Sequence, residues 1–246
     1  MKKSDVFDEH MEQERLEQIL PRYSTSAFSI TDHESELYTA ERAMEHVRGP
    51  AVLVLGAATG AWIGPLLAKV DQLDIVDAVV ETVDRLTSTH PGVICGHVAL
   101  FERFEPSRRY DTVILGHVLE HVFDPRLVLS RVRGWLCPGG RVIVAVPNAR
   151  SLHRWLGVEL GLLESLTAFS PADRAVGHRR VYTREALTVD MEAAGLRVTM
   201  MSGLVLKPLS NAQMDTWSPE MRCAWRTLGD LLPEYACVLL CLAESA

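Results

Sequence analysis

The chain has 246 residues, 48% hydrophobic and 23% charged, which suits one sizeable α/β domain and is short for two. Its formal charge of −7 argues against a nucleic-acid partner, because a protein that grips a phosphate backbone carries a basic excess. Residues 1–10 lack a secretory apolar core, and the longest apolar runs, 51–55 and 237–242, are too short to span a bilayer, so a cytoplasmic protein with no membrane partner is expected.

Residues 1–20 are rich in Glu and Met, with Phe7, Leu16, Ile19 and Leu20 at roughly helical spacing, closed by Pro21. A second helix is predicted after Thr31, which fits a capping box with Glu34, and Leu37, Met44 and Val47 supply its apolar stripe until Gly49-Pro50. Residues 51–55 are a continuous apolar run, as expected of a strand buried on both faces of a parallel sheet. A Gly-rich turn over 56–60 leads into a helix over 61–69. Strands are predicted at 73–77, 93–98 and 110–115, with helices over 78–87 and 125–136. Pro138-Gly139-Gly140 is expected to break the chain before a fifth strand at 141–146. Thr183 caps a helix ending near Gly195, a strand covers 196–201, a helix lies near 219–228, and 237–242 is the last strand. This alternation predicts a doubly wound α/β fold with right-handed crossovers. The five cysteines, Cys95, Cys137, Cys223, Cys237 and Cys241, show neither zinc-ribbon nor redox spacing and read as free thiols.

In an open parallel sheet, ligands bind beyond the carboxyl ends of the strands, near the point where strand order reverses. Gly56 and Gly60 bound a turn at such a place, where a missing side chain lets backbone approach a ligand. Asp77 ends the next strand, about twenty residues on, where a carboxylate can accept from both ribose hydroxyls. The turn alone fits any tight βα connection; the added acid favours a nucleoside-bearing ligand.

Several segments resemble class I S-adenosylmethionine-dependent methyltransferases, in their ubiquinone-pathway-like branch. Val-Leu-Val-Leu-Gly-Ala-Ala-Thr-Gly (52–60) is similar to the family's first motif, and Ile-Val-Asp (75–77) to its ribose-binding acid. Residues 110–125, with Gly-His-Val-Leu-Glu-His, resemble its fourth-strand motif, and residues 136–148 the turn and strand that follow. Gly-His-Arg-Arg-Val-Tyr-Thr (177–183) and Ala-Ala-Gly-Leu (193–196) complete the series, over more than half the chain. The resemblance implies a Rossmann-like seven-stranded sheet with the last strand antiparallel. It also implies S-adenosylmethionine as cofactor and S-adenosylhomocysteine as product. The cofactor would meet Gly56, Ala57, Ala58, Gly60, Asp77, Ala78, Leu100, Phe101, Gly116 and His117. The chain departs from the family twice. Val54 stands where the first motif usually carries an acid and Ala58 where it has its middle glycine, so one polar contact to the methionine end must come from elsewhere. Ala99-Leu100-Phe101 replaces the acid that often meets adenine, leaving the backbone N–H groups of Leu100 and Phe101 to serve.

Methyl transfer is an in-line displacement at a sulfonium carbon, so the protein must align the nucleophile and take the proton of an alcohol or phenol. His117, Glu120 and His121 follow the fourth strand, where the family places the reacting methyl. The candidate catalytic residues are His121, His178 and His117, with His121 or His178 as general base. His-x-x-Glu-His also sets three potential ligands on nearly one helix face. Ubiquinone-type O-methyltransferases and small-RNA 2′-O-methyltransferases resemble this segment and hold a divalent metal with Glu-x-x-Glu-His. Here His117 replaces the first Glu, which would soften the site towards Zn²⁺, with His178 as a fourth ligand. The site is expected to hold no metal, and His117, Glu120, His121 and His178 are the metal-binding alternative.

Residues 1–48 are expected to form an N-terminal helical lid, and 49–246 the cofactor-binding domain, with substrate-cap insertions at about 148–180 and 203–235. Arg150, His153, Arg154, Arg174, Arg179 and Arg180 make a local basic excess, readable as recognition of an anionic acceptor or as solvated helix charge. Tyr23, Phe28, Tyr38, Trp62, Trp155 and Tyr182 either wall the acceptor pocket or pack, and Lys207 would close it. The leading expectation is methylation of a hydroxyl on a small molecule, in natural-product biosynthesis. The alternatives are N-methylation of an amine or guanidine, for which Glu34, Glu36 and Glu120 would matter more, and a cofactor-binding protein without catalysis. The oligomeric state is open, a homodimer among the options.

Overall fold

Apolar runs bounded by turn residues pair into one sheet of seven strands: β1 (Val52–Leu55), β2 (Leu73–Asp77), β3 (Ile94–Val98), β4 (Tyr110–Gly116), β5 (Leu136–Pro147), β6 (Leu196–Leu204) and β7 (Val238–Ser245). The computed structural model describes residues 7–23 and 29–246, so Phe28 lies outside the described residues. Strand order is β3-β2-β1-β4-β5-β7-β6. The first five strands are parallel, and β7 runs antiparallel to both β5 and β6. This is the doubly wound Rossmann-like sheet that the resemblance implies. Strand order reverses between β1 and β4, which opens a crevice at their carboxyl ends.

The helices, in chain order, are α1 (Glu9–Ile19), α2 (Ile30–Ala43), α3 (Ile63–Leu67), α4 (Val80–Thr89), α5 (Pro125–Trp135), α6 (Leu152–Glu159), α7 (Pro171–Ala175), α8 (Arg184–Ala193), α9 (Asn211–Met214) and α10 (Pro219–Leu228). Strand side chains alternate between two cores. Leu53, Leu55, Val113 and Leu115 pack with Val128 and Val132 of α5 and Leu187 and Met191 of α8. Val52, Val54 and Ile114 pack on the other face with Ala40 and Ala43 of α2 and Ile63 and Leu66 of α3. Burial on both faces explains why these strands read as unbroken apolar runs.

The structure corrects three boundaries. Ser29, not Thr31, caps α2: its hydroxyl accepts from the Asp32 N–H, while Thr31 donates its hydroxyl to Asp215. Glu34 is thereby free of capping and binds Arg222 and Arg226 instead. The helix expected over 61–69 is only Ile63–Leu67, because Gly60 and Ile63 donate to carbonyls within the preceding turn. Pro138-Gly139-Gly140 does not end the ladder. Tyr110 pairs with Leu136 and Thr112 with Arg141, so residues 137–140 bulge out of a continuous strand. Among the described residues no helix is long and apolar enough to cross a membrane. All five cysteines are free thiols.

Candidate active site

The turn after β1 takes its shape from two glycines in the left-handed region, Gly56 at φ +67 and Gly60 at +74. The Gly56 N–H donates to the Val76 carbonyl at 2.9 Å, and a Cβ on Gly56 would lie 2.8 Å from Val118 Cγ2. Asp77, buried at the end of β2, fixes the turn by accepting from the N–H groups of Ala57 at 3.0 Å and Val79 at 2.9 Å. Burial raises its pKa, against the opposing pull of those backbone donors.

These residues wall a cavity of about 830 Å³ at the switch point. Gly56, Ala57, Ala58, Thr59 and Gly60 form one side; Asp77, Ala78 and Val79 form the next; Phe101, Gly116, His117, Val118 and His121 follow. Leu16, Ile19 and Leu20 line it from the α1 segment and Glu36 from α2. Leu100 is the one expected cofactor residue outside this lining; its carbonyl accepts from Arg103 and Phe104 in a local turn. Trp62 lies here and not in an acceptor pocket, its indole against Gly116, where an added Cβ would fall 2.3 Å from Nε1. Tyr38 and Tyr182 donate to Asp230 and Asp190, outside the cavity walls.

A second cavity, of about 950 Å³, adjoins the first and shares Glu36, His117 and His121 with it. Glu120, His178, Asp173, His153, Arg154, Lys207 and Asn211 are among its walls. His117 follows β4 with φ +57, a conformation uncommon outside glycine, and donates its N–H to the Ala145 carbonyl. Its Nδ1 lies 3.2 Å from Glu120 Oε1. Burial pulls the His117 pKa down, but Glu120, Glu36 and Asp32 carry it above the ordinary value. Burial likewise opposes ionisation of Glu120, and His117, His121 and His178 bring its pKa below normal. His121 is different: burial pushes it down to about 4, so its ring is neutral near neutral pH. The rings of His121 and His178 meet edge to face at 4.7 Å.

Asp173 holds His178, with its Oδ1 2.8 Å from Nδ1. The same carboxylate accepts from Ser170 N and Oγ and from Arg154 Nη1. Burial works against its charge, but these donors depress its pKa. In sequence Asp173 shows only as the acid of a Ser170-x-x-Asp173 capping box, which carries no hint of a histidine partner. One donor atom each of Glu120, His121 and His178 fall within 4.8 Å of one another, and Glu120 Oε2 has no hydrogen-bond partner among the described residues. This donor set fits a divalent ion of borderline softness, with Asp173 orienting His178 from behind. His117, the fourth member of the alternative metal set, stands outside that group.

The segment 177–183 clamps this wall. Arg179 donates its backbone N–H to Glu120 and its Nε to the His121 carbonyl. Arg180 serves the carbonyls of Leu119, Val122 and Phe123. Arg154 is spent on Asp173 and on the carbonyls of Leu166 and Ala168, and Arg174 lies over the Phe169 ring. The basic excess of 148–180 is thus largely structural. On the cofactor side, buried Glu12 of α1 binds Arg15 and Arg179. Arg15 also donates to the carbonyls of Gly177 and His121.

The chain is similar to known proteins. The family described as "Methyltransferase domain" matches residues 9–200. The ubiquinone biosynthesis O-methyltransferase of Aeromonas salmonicida (strain A449) is 38% identical over 103 residues, 42% of each chain. The protein of the same name from Paramagnetospirillum magneticum (strain ATCC 700264 / AMB-1) is 28% identical over 181 residues, 72% of this chain and 70% of the relative. Against others of that name, such as those of Rhodopseudomonas palustris strains BisB5 and BisB18, the chain spans only 50% and 43% of the relative's length. Among solved structures, the magnesium protoporphyrin IX methyltransferase of Synechocystis PCC 6803, with bound S-adenosylhomocysteine, superposes with a TM-score of 0.61 at 12% identity, covering 96% of this chain and 94% of that one. The N-methyltransferase NodS of Bradyrhizobium japonicum WM9, also with that ligand, gives 0.57 at 14% identity, covering 95% and 98%. At such identities the likeness is one of fold.

Proposed function

This chain belongs to the methyltransferase-domain family, and on that premise we propose that it transfers the methyl group of S-adenosylmethionine to a hydroxyl of a small molecule. The observation that carries the reading is the pair of adjoining cavities, which meet at Glu36, His117 and His121. The first has the glycine turn and buried Asp77 that suit a nucleoside, and the second has titratable groups at hydrogen-bonding positions. A methyl donor in one and an acceptor in the other would meet across that wall, in the alignment an in-line displacement needs.

His178 is the general base in this reading. Its Nδ1 faces Asp173, so Nδ1 keeps the hydrogen and Nε2 carries the lone pair that takes the hydroxyl proton. Neutral His121 shapes the wall beside it, and the His117–Glu120 pair holds the end of β4. In the metal-binding alternative Glu120, His121 and His178 would hold a divalent ion, which would occupy the His178 lone pair and, in place of the base, lower the pKa of the acceptor hydroxyl. The segments 7–23 and 29–48 act as the lid, and the insertions at 148–180 and 203–235 cap the acceptor. With Arg154, Arg179 and Arg180 engaged, Lys207 is the cation that an anionic acceptor would meet; its Nζ now donates to Asn211 at 2.7 Å and lies 3.8 Å from Asp32 Oδ1. The ubiquinone-pathway relatives make biosynthesis the setting to examine first.

Calorimetric titration with S-adenosylmethionine and S-adenosylhomocysteine, followed by methyl transfer to a panel of small phenols, alcohols and amines, tests the reading. Binding of both and methylation of an oxygen acceptor are expected. Absence of binding sinks the methyltransferase reading, and methylation of amines alone turns it to nitrogen.

A further inference from the structure

Glu36 stands on the buried face of α2, beside Ser35, Thr39 and Ala40. It is 9% exposed and lines both cavities, and its carboxyl stands beside the Thr59 side chain in the glycine turn. Its Oε2 has no hydrogen-bond partner among the described residues. Ionising a buried carboxylate with one oxygen unserved is costly unless a cation meets it. Burial accordingly raises its pKa, although His117 and His33 oppose the rise that Asp32 assists. His117 is already engaged by Glu120, so Glu36 is poised for a cation from outside the chain.

The rest of the first cavity says which cation. Asp77 is committed to one side of the turn by Ala57 and Val79. Val54, where the resemblance expects an acid, is fully buried among apolar side chains and offers the ligand nothing. Thr59 and Glu36 line the same cavity as Asp77, so a ligand with its ribose at Asp77 can bring its amino-acid end to them. We infer that Glu36 receives the α-ammonium of S-adenosylmethionine, supplying from helix α2 the carboxylate that strand β1 lacks. The inference rests on the reading of the first cavity as the cofactor site.

Calorimetry on the full chain tests it, with two ligands. S-adenosylhomocysteine keeps the ammonium and lacks the sulfonium charge; 5′-methylthioadenosine has no amino acid. In Glu36→Gln the first is expected to bind about ten- to a hundredfold more weakly, the range of a charge-assisted hydrogen bond. The second is expected to bind wild type and variant within about twofold, which also reports that the variant is folded. Unchanged affinity for S-adenosylhomocysteine overturns the inference, as does an equal loss with 5′-methylthioadenosine. A raised KM for acceptor with unaltered cofactor affinity also overturns it, by placing Glu36 on the acceptor. Should the variant fail to fold, wild type decides: the deaminated analogue, with a hydroxyl for the ammonium, must bind at least about tenfold more weakly than S-adenosylhomocysteine. Equal affinity overturns the inference. Failure of every adenosyl ligand to bind wild type takes down the cofactor reading as well, whereas failure of the Glu36 arm alone leaves that reading standing.

Discussion

His178 Nδ1 lies 2.8 Å from Asp173 Oδ1, and Ser170 and Arg154 both donate to the other oxygen, Oδ2. The imidazole is thus aimed by a network and not by packing alone. Asp173→Asn keeps the shape and removes the charge that favours one tautomer. We expect kcat to fall about ten- to a hundredfold, with S-adenosylhomocysteine affinity unchanged and the pH–rate profile displaced. An unaltered kcat with an unaltered profile would rule out the positioning role.

Asp77→Asn tests the ribose contact. An amide cannot accept from both Ala57 and Val79, so the variant should lose about 1–3 kcal/mol of stability in urea unfolding. Cofactor affinity, measured by titration, should drop at least about tenfold, since an amide cannot accept at both oxygens. Equal affinity in the two proteins would show that the ribose does not sit there.

Gly116 and Gly64 form a matched pair. An alanine Cβ at Gly116 would meet the Trp62 indole at 2.3 Å, whereas at Gly64 it meets nothing within 4 Å. Gly116→Ala should destabilise by about 1–3 kcal/mol in urea unfolding and weaken the cofactor. Gly64→Ala, inside helix α3, should be neutral or stabilising by up to about 1 kcal/mol. Equal effects at the two sites would contradict the packing described.

Glu12 gives a pH dependence with a definite sign. Burial opposes its charge, but Arg15 and Arg179 bring its pKa below the ordinary 4.5. A depressed carboxylate contributes stability that is complete above the unfolded value and is lost as pH falls through the folded one. The α1 amides should therefore lose hydrogen-exchange protection as pH drops below about 4.5, and Glu12→Gln should flatten that step.

Chelation tests the role of the histidine cluster. Dialysis against EDTA should leave S-adenosylhomocysteine affinity unchanged, because, of Glu120, His121 and His178, only His121, whose ring is neutral, lines the first cavity. Methyl transfer should also survive, with His178 as base. Loss of transfer, restored by a divalent ion, would convert Glu120, His121 and His178 into a metal site.

The strands, the glycine turn and Asp77 are legible in sequence because their signals are local: an apolar run, a turn residue, an acid at fixed distance. Arg179 and Arg180 are not, since charge alone cannot tell a guanidinium that meets a ligand from one that serves the carbonyls of Leu119–Phe123. Asp173 and Glu36 gain meaning only when the fold sets them beside partners that spacing does not connect, five residues on for Asp173. Glu36 reaches Thr59 across 23 positions, which no periodicity connects. Pro138-Gly139-Gly140 reads as a stop, yet pairing on both sides carries β5 through it.

Arg15 ties helix α1 to the wall that the two cavities share. It belongs to the helix roofing the first cavity, and its guanidinium donates to the carbonyl of His121, which lines both. One guanidinium thus ties the helix over the first chamber to a residue on the wall of both.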